Sequence, residues 1–513
     1  MKKSLCIILA VLLVAVAVVT LVACNNEEGG EEKAILIWGP AEHESIYLKY
    51  ANQFKEEHAE ALAGYKFQYE GSGDAGAYAA MNIDPQRGAA VYTFANDQTA
   101  NLRNLSALAV LNEEQLAWSR GHNSATAVES TKLGDKYVAY PLQADNGYFM
   151  YYNKDAFKGT SVWDEANDTL KAGYTFRQLY AALDERATQP GGEMWAKGKV
   201  TWAMGDSWYM SGVFFSVGGD YEVIYDNKGA QIGADCWFSY TLPEGKKGWQ
   251  NGDYTVGYDA FQAAKNTITV SNTDNTVNPH FAYTDGDKQG LNDYIDLHTN
   301  PDNQAYKDAP LAAAVCGTWK AKVLSDAWGD NYGATVLPTL ETDDGELFQM
   351  KNFAGYKNLG VNPLCGYISD GKDYADKQAR LALMHELAQY FCGKEISLER
   401  HAATGAGPAS LTALEDPEIK ADLALIALNK QYELVCKYPM NYSVAALRGQ
   451  PVGNGVGYRN QDSVPANYWT PIQEYGQLMF TEFSSGKLDK FSTEAAIKDK
   501  LADLQASIAK AAQ

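Results

Sequence analysis

The chain has 513 residues, 46% of them hydrophobic and 12% aromatic, a composition that excludes a disordered or collagen-like polymer and suits two or three globular domains. Its formal charge of −21, with 64 acidic against 43 basic side chains, argues against nucleic acid as a partner, because no basic patch is evident. Seven scattered cysteines without a Cys-x-x-Cys pair signal neither a disulfide framework nor a zinc site.

The N-terminus begins with Lys2 and Lys3, continues through an apolar run from Leu5 to Val22, and reaches Leu21-Val22-Ala23-Cys24 ahead of the polar stretch Asn25 to Gly30. A basic start, an apolar middle and small residues before a cut site make a secretory signal. The ending resembles a bacterial lipobox. That resemblance implies removal of residues 1–23, lipidation of Cys24, and a flexible tether over residues 24–33. Two acyl chains hold a protein at a membrane where one is marginal. The alternative is an uncleaved apolar span, since the run is nearly long enough to cross a bilayer. Both readings put residues 25–513 outside the cytoplasm. Removing Lys2 and Lys3 takes the charge from −21 to −23. Beyond Cys6 and Cys24, the cysteines are Cys236, Cys316, Cys365, Cys392 and Cys436, an odd number that reads mostly as small buried apolar residues.

Strands and helices then alternate. Ala34 to Trp38 reads as a buried strand that Gly39-Pro40 breaks, and a helix follows from Glu44 to His58 with Ile46, Tyr47, Tyr50, Ala51 and Phe54 on one face. Tyr65 to Glu70 and Ala89 to Phe94 read as further strands. Strand-helix-strand order implies a parallel sheet with helices on its faces. Between residues 220 and 310 Asp, Asn, Gly and Tyr dominate, which reads as a surface elaboration with one helix from about Asp259 to Thr269. Leu381 to Phe391 has helical spacing. A last helix begins near Ser492-Thr493-Glu494, capped by Thr493 or Ser492, with Ile497, Leu501, Leu504 and Ile508 as its stripe.

Several segments, taken in order, resemble the maltose/maltodextrin-binding proteins and their wider carbohydrate-binding relatives. They are Phe94-Ala95-Asn96-Asp97; Tyr137 to Leu142 followed by Tyr152-Asn153-Lys154-Asp155; Gly317-Thr318-Trp319; Tyr332 to Thr339; Phe353-Ala354-Gly355; Thr404 to Pro408; and Tyr468-Trp469. They are collinear with the family over nearly all the mature chain. The resemblance implies an α/β fold of two lobes, each a mostly parallel sheet flanked by helices, closing like a flytrap on a cleft at the hinge. Lobe one is expected over 34–143 plus 356–415. Lobe two is expected over 146–350 plus 416–513.

The same resemblance implies a lipid-anchored component of an ABC importer on the outer face of the cytoplasmic membrane. It implies an oligosaccharide ligand, membrane permease subunits as partners, a monomer, and no cofactor or metal. A pyranose ring offers an apolar face that stacks on aromatic rings, and its hydroxyls suit carboxylate acceptors. Carried over by motif, the stacking residues are Phe94, Trp208, Trp319 and Trp469. The hydroxyl acceptors are Asp97, Asp145 and Asp206, with Glu42 or Glu44 in the loop after the first strand, where His43 is an alternative. Tyr356 is expected to face the cleft past the second hinge. Three positions depart from the family: Asp74, Gln98 and Gln473 stand where the maltose-binding members carry basic residues. An α-glucan remains the first expectation and another oligosaccharide class its rival. A surface lipoprotein that binds polysaccharide without transport is a further alternative. Paired carboxylates would also suit a glycosidase. However, no nucleophile elbow, zinc-protease helix or phosphate loop is present, and an enzyme is not expected.

Overall fold

A computed structural model describes residues 33–225, 231–237, 254–285, 290–365, 374–437, 459–460 and 468–510. The leader, Cys24, nearly all of the 24–33 tether and parts of the 220–310 region lie outside the described residues. Among the described residues no helix is long and apolar enough to cross a membrane.

Eleven strands organise the site: β1 (Lys33–Gly39), β2 (Tyr65–Gly71), β3 (Val91–Ala95), β4 (Tyr140–Asn146), β5 (Phe149–Asn153), β6 (Lys199–Gly205), β7 (Phe281–Asp285), β8 (Leu311–Cys316), β9 (Tyr332–Thr335), β10 (Phe353–Val361) and β11 (Arg459–Asn460). They form two mixed sheets. In the first, the order is β11-β10-β3-β1-β2, with β4 also paired to β10. β1 runs parallel to β2 and β3, as the alternation of strand and helix requires, while β10 is antiparallel to both β3 and β4. In the second, the order is β7-β6-β8-β5-β9. The β6–β7 and β6–β8 pairs are parallel, and β5 is antiparallel to β8 and β9.

The helices that matter are α1 (Glu44–Glu57), α2 (Phe176–Ala187), α3 (Ser207–Ser216), α4 (Thr255–Ile268), α5 (Tyr374–Phe391), α6 (Trp469–Ser485) and α7 (Glu494–Lys510). In α1, Ile46, Tyr47, Ala51 and Phe54 are buried and Tyr50 is half-buried. α5 begins seven residues ahead of the expected Leu381. The α7 stripe of Ile497, Leu501, Leu504 and Ile508 is buried, and the Thr493 hydroxyl accepts from Ala496 N at 3.2 Å, which is the expected cap. α2 starts with a reciprocal capping box between Thr175 and Gln178.

Apolar packing divides around the two sheets. Ile35, Ile37, Phe54, Leu359 and Phe391 share one core with β1 and α5, while Phe149, Trp202, Phe261, Met479 and Leu504 share the other. Cys316, Cys365 and Cys392 are buried, as small apolar residues are.

The region from 220 to 310 is not only a surface elaboration. Asp220–Tyr225 and Gln231–Trp237 form an antiparallel hairpin, but α4 buries Val256, Ala260, Phe261, Ala264 and Ile268 in the second core. β7 is one of the two edge strands of the second sheet. The polar composition belongs to the connections, and it hides a five-residue strand too short to show its own periodicity.

The chain crosses between sheets where β4 ends and β5 begins, at Gly147-Tyr148. A Cβ at Gly147 would overlap the Tyr432 hydroxyl, so the crossing needs glycine there. It crosses back from β9 to β10 through the small hairpin Thr339–Glu341/Leu347–Gln349.

Candidate ligand-binding site

Most residues of the site sit on turns just past strand ends. Glu42 follows β1, Asp74 follows β2, Asp97 follows β3, Asp206 and Trp208 follow β6, and Trp319 follows β8. In open α/β sheets a ligand binds outside the carboxyl ends of the strands, where such turns meet. Here they surround a cleft of about 1360 Å³, lined by these residues together with Asp145, Lys357 and Trp469.

Local sequence places each group. Asp206 caps α3, its carboxylate accepting from Trp208 N at 2.8 Å, and so sets the indole at the helix start. Trp319 folds back over its own turn. A Cβ at Gly317 would overlap that indole, so only glycine allows the fold. Trp319 Nε1 donates to Asn292 Oδ1 at 3.0 Å. The Trp208 and Trp319 rings lie 5.8 Å apart at 39°, and Trp469, first residue of α6, meets Phe353 edge-on at 5.4 Å. All three indoles line the cleft.

Asp145, on β4 beside the crossing, is buried. Its Oδ2 accepts from Thr318 Oγ1 at 2.6 Å and from Gly407 N at 2.5 Å, so one oxygen ties loops flanking the two sheets. Among the described residues, Asp145 Oδ1 and Trp208 Nε1 are buried without a hydrogen-bond partner. A buried polar atom left unsatisfied costs about 1–3 kcal/mol, and both atoms belong to residues that line the cleft.

His43, which also lines the cleft, is buried with Nε2 3.1 Å from Thr404 Oγ1. Burial, with Arg400 and Lys357 nearby, lowers its pKa to about 4, so the ring is neutral near pH 7. For Lys357, burial alone would lower the pKa, but Asp74, Asp145 and Glu42 together hold it above the ordinary lysine value.

Seven of the residues expected from sequence line this one cleft: Glu42, Asp97, Asp145, Asp206, Trp208, Trp319 and Trp469. Three do not. Phe94 is fully buried among Trp38, Tyr92 and Leu108, so it cannot stack on a sugar. β3 is buried on both faces, and its last aromatic belongs to the core. Glu44 is the exposed first residue of α1 and lies outside the lining, which takes in its neighbour His43 instead. Tyr356 lies outside the lining; its backbone N–H donates to Asn96 Oδ1 at 3.0 Å, which ties β10 to the turn after β3. Lys357, its neighbour, lines the cleft instead, because successive strand residues face opposite sides. Sequence reasoning missed Lys357. The available signal was that alternation, one register step along β10. Of the three departures from basic residues, Asp74 and Gln98 line the cleft and Gln473 does not.

A profile of the bacterial extracellular solute-binding protein family matches residues 49–427. No curated protein sequence matches the chain. Among solved structures, the maltodextrin-binding protein MalE1 from L. casei BL23, without ligand, is similar at 18% identity and a TM-score of 0.58, over 94% of this chain and 100% of that one. The maltotriose-binding protein of Thermus thermophilus, bound with maltotriose, is similar at 16% identity and 0.57, over 93% and 99%. The GacH receptor of Streptomyces glaucescens, determined unliganded and with acarbose, is similar at 14% identity and 0.60, over 93% and 99%. At these identities the likeness is one of fold, the two-lobed solute-binding architecture.

Proposed function

The chain belongs to the bacterial extracellular solute-binding protein family, and on that premise we propose that it captures an oligosaccharide and hands it to the membrane subunits of an ABC importer. The observation that carries the reading is the cleft itself. Three tryptophans and several carboxylates converge on one space large enough for several sugar rings. Indole faces suit the C–H face of a pyranose, and carboxylates suit its hydroxyls.

The ligand is an α-glucan of the maltodextrin type. Similar folds in L. casei and Thermus thermophilus are named for maltodextrin and maltotriose, and the GacH receptor was determined with acarbose. The chain acts by binding and hinge closure rather than by chemistry. Cys24 carries the lipid that holds it, as a monomer, at the outer face of the cytoplasmic membrane, beside its permease.

Calorimetric titration of the chain, kept in a detergent without a sugar head group, tests the reading with maltotriose, raffinose, xylotriose and cellotriose. Maltotriose is expected to bind, and Trp469→Ala to weaken it by about tenfold or more, roughly 1.4 kcal/mol. Heat with another trisaccharide alone would move the assignment to that sugar class. No heat with any of the four would remove the sugar-capture reading.

A further inference from the structure

Lys357 reaches the cleft from β10, the strand of the first sheet that follows the second crossing, where it stands opposite Ala95 on one side and Gln143 on the other. Its side chain is 16% exposed and that of Asp74 11%. Nζ lies 3.3 Å from Asp74 Oδ2 and 5.6 Å from the centre of the Trp319 ring. Asp74 is held from two further sides: its Oδ1 accepts from Thr93 Oγ1 at 2.5 Å, and its backbone carbonyl accepts from Gln98 Nε2 at 2.7 Å. The pair is therefore fixed before any ligand arrives, which lowers the ordering cost of binding.

An ammonium has three donors and a carboxylate about four acceptor positions. Asp74 takes one donor of Lys357, and Thr93 and Lys357 take two of the acceptor positions. The groups left over stand side by side, a donor next to an acceptor, with the ammonium 5.6 Å from the centre of the Trp319 ring. Adjacent hydroxyls on one sugar ring present the same pattern, one oxygen accepting while its neighbour donates.

We propose that Lys357 and Asp74 form a recognition unit for a pair of adjacent hydroxyls on a neutral sugar ring that rests on Trp319. This deepens the sugar-capture reading and rests on it. Neutrality of the ligand follows from the charges. Asp74 already balances the ammonium, while Glu42, Asp97, Asp145 and Asp206 line the same cleft, so a carboxylated sugar meets a wall of like charge.

The test uses the full chain in a detergent without a sugar head group, titrated with whichever trisaccharide of the panel binds, with its monodeoxy analogues, and with trigalacturonate. Lys357→Met keeps the stem and removes the charge-assisted donors, and is expected to weaken the parent sugar about 10- to 100-fold. At least one deoxy analogue should bind the wild type more weakly than the parent does, yet bind Lys357→Met no more weakly than the parent binds that variant. A merely structural lysine would not produce this coupling. Trigalacturonate should give no heat with either protein. If Lys357→Met does not fold, Lys357→Gln, which retains one donor group without charge, carries the same comparison. Parent-sugar affinity unchanged in the variant, equal losses for every deoxy analogue, or tight binding of trigalacturonate would each overturn the proposal while leaving sugar capture standing. A wild type that binds none of the sugars overturns both.

Discussion

Phe94 and Trp319 both stand near the carboxyl end of a strand, yet Phe94 is sealed in a core and Trp319 lines the cleft. Phe94 is still within β3, a strand enclosed on both faces, while Trp319 comes three residues after β8 has ended, on a turn that Gly317 permits. The family resemblance marked both as stackers; only their distance past the strand end separates them. Histidines make a sharper case. His43 and His385 are both buried, and burial as the leading cause holds each near a pKa of about 4, against 6.5 in an unfolded chain. Below 6.5 the unfolded chain binds protons that the folded chain refuses. Stability from these groups is therefore flat above pH 6.5 and falls as pH drops from about 6.5 to about 4. The slope is at most about 1.4 kcal/mol per pH unit for each ring. Denaturant titrations at a series of pH values should show this loss, and His385→Gln should make the slope shallower. A slope unchanged in that variant would place the proton uptake elsewhere.

At the scale of elements, strong periodicity was easy to read and short strands were not. α1, α5 and α7 each carry apolar residues at helical spacing, β1 is a short apolar run, and each forms near its expected position, although α5 starts earlier. β7 has five residues in a polar-rich stretch, so nothing local separates it from a loop, and its place at the sheet edge comes from pairing with β6. The same stretch contains α4, whose Phe261 packs against Phe483 and Phe491, ring centres 6.0 and 5.1 Å away. Phe261→Ala should therefore cost about 3–5 kcal/mol in chemical denaturation, as for a core aromatic. A loss below about 0.5 kcal/mol, usual for a surface position, would return this region to the status of an appendage.

At the scale of the whole molecule, two sheets joined by chain crossings set a cleft between them, and a leader is expected to tie that body to a membrane. Cys24→Ala should release the chain from the membrane fraction into the medium and abolish incorporation of labelled palmitate. Membrane association of the parent chain without any palmitate uptake would favour the uncleaved apolar span. Sequence alone determined what depends on near neighbours: the strand and helix periodicities, the cap of the last helix, and the order of segments that resemble a sugar-binding family. Through that resemblance it also pointed to seven of the residues that line the cleft. Tertiary structure alone decided which groups meet across distance. Asp145 joins Thr318 and Gly407, partners 173 and 262 positions away, and Lys357 reaches Asp74 only through the register of β10. The reason is physical. Local propensity acts within a turn or two of chain, whereas the facing of a side chain into a cleft is set by long-range strand pairing, where one step of register exchanges Tyr356 for Lys357.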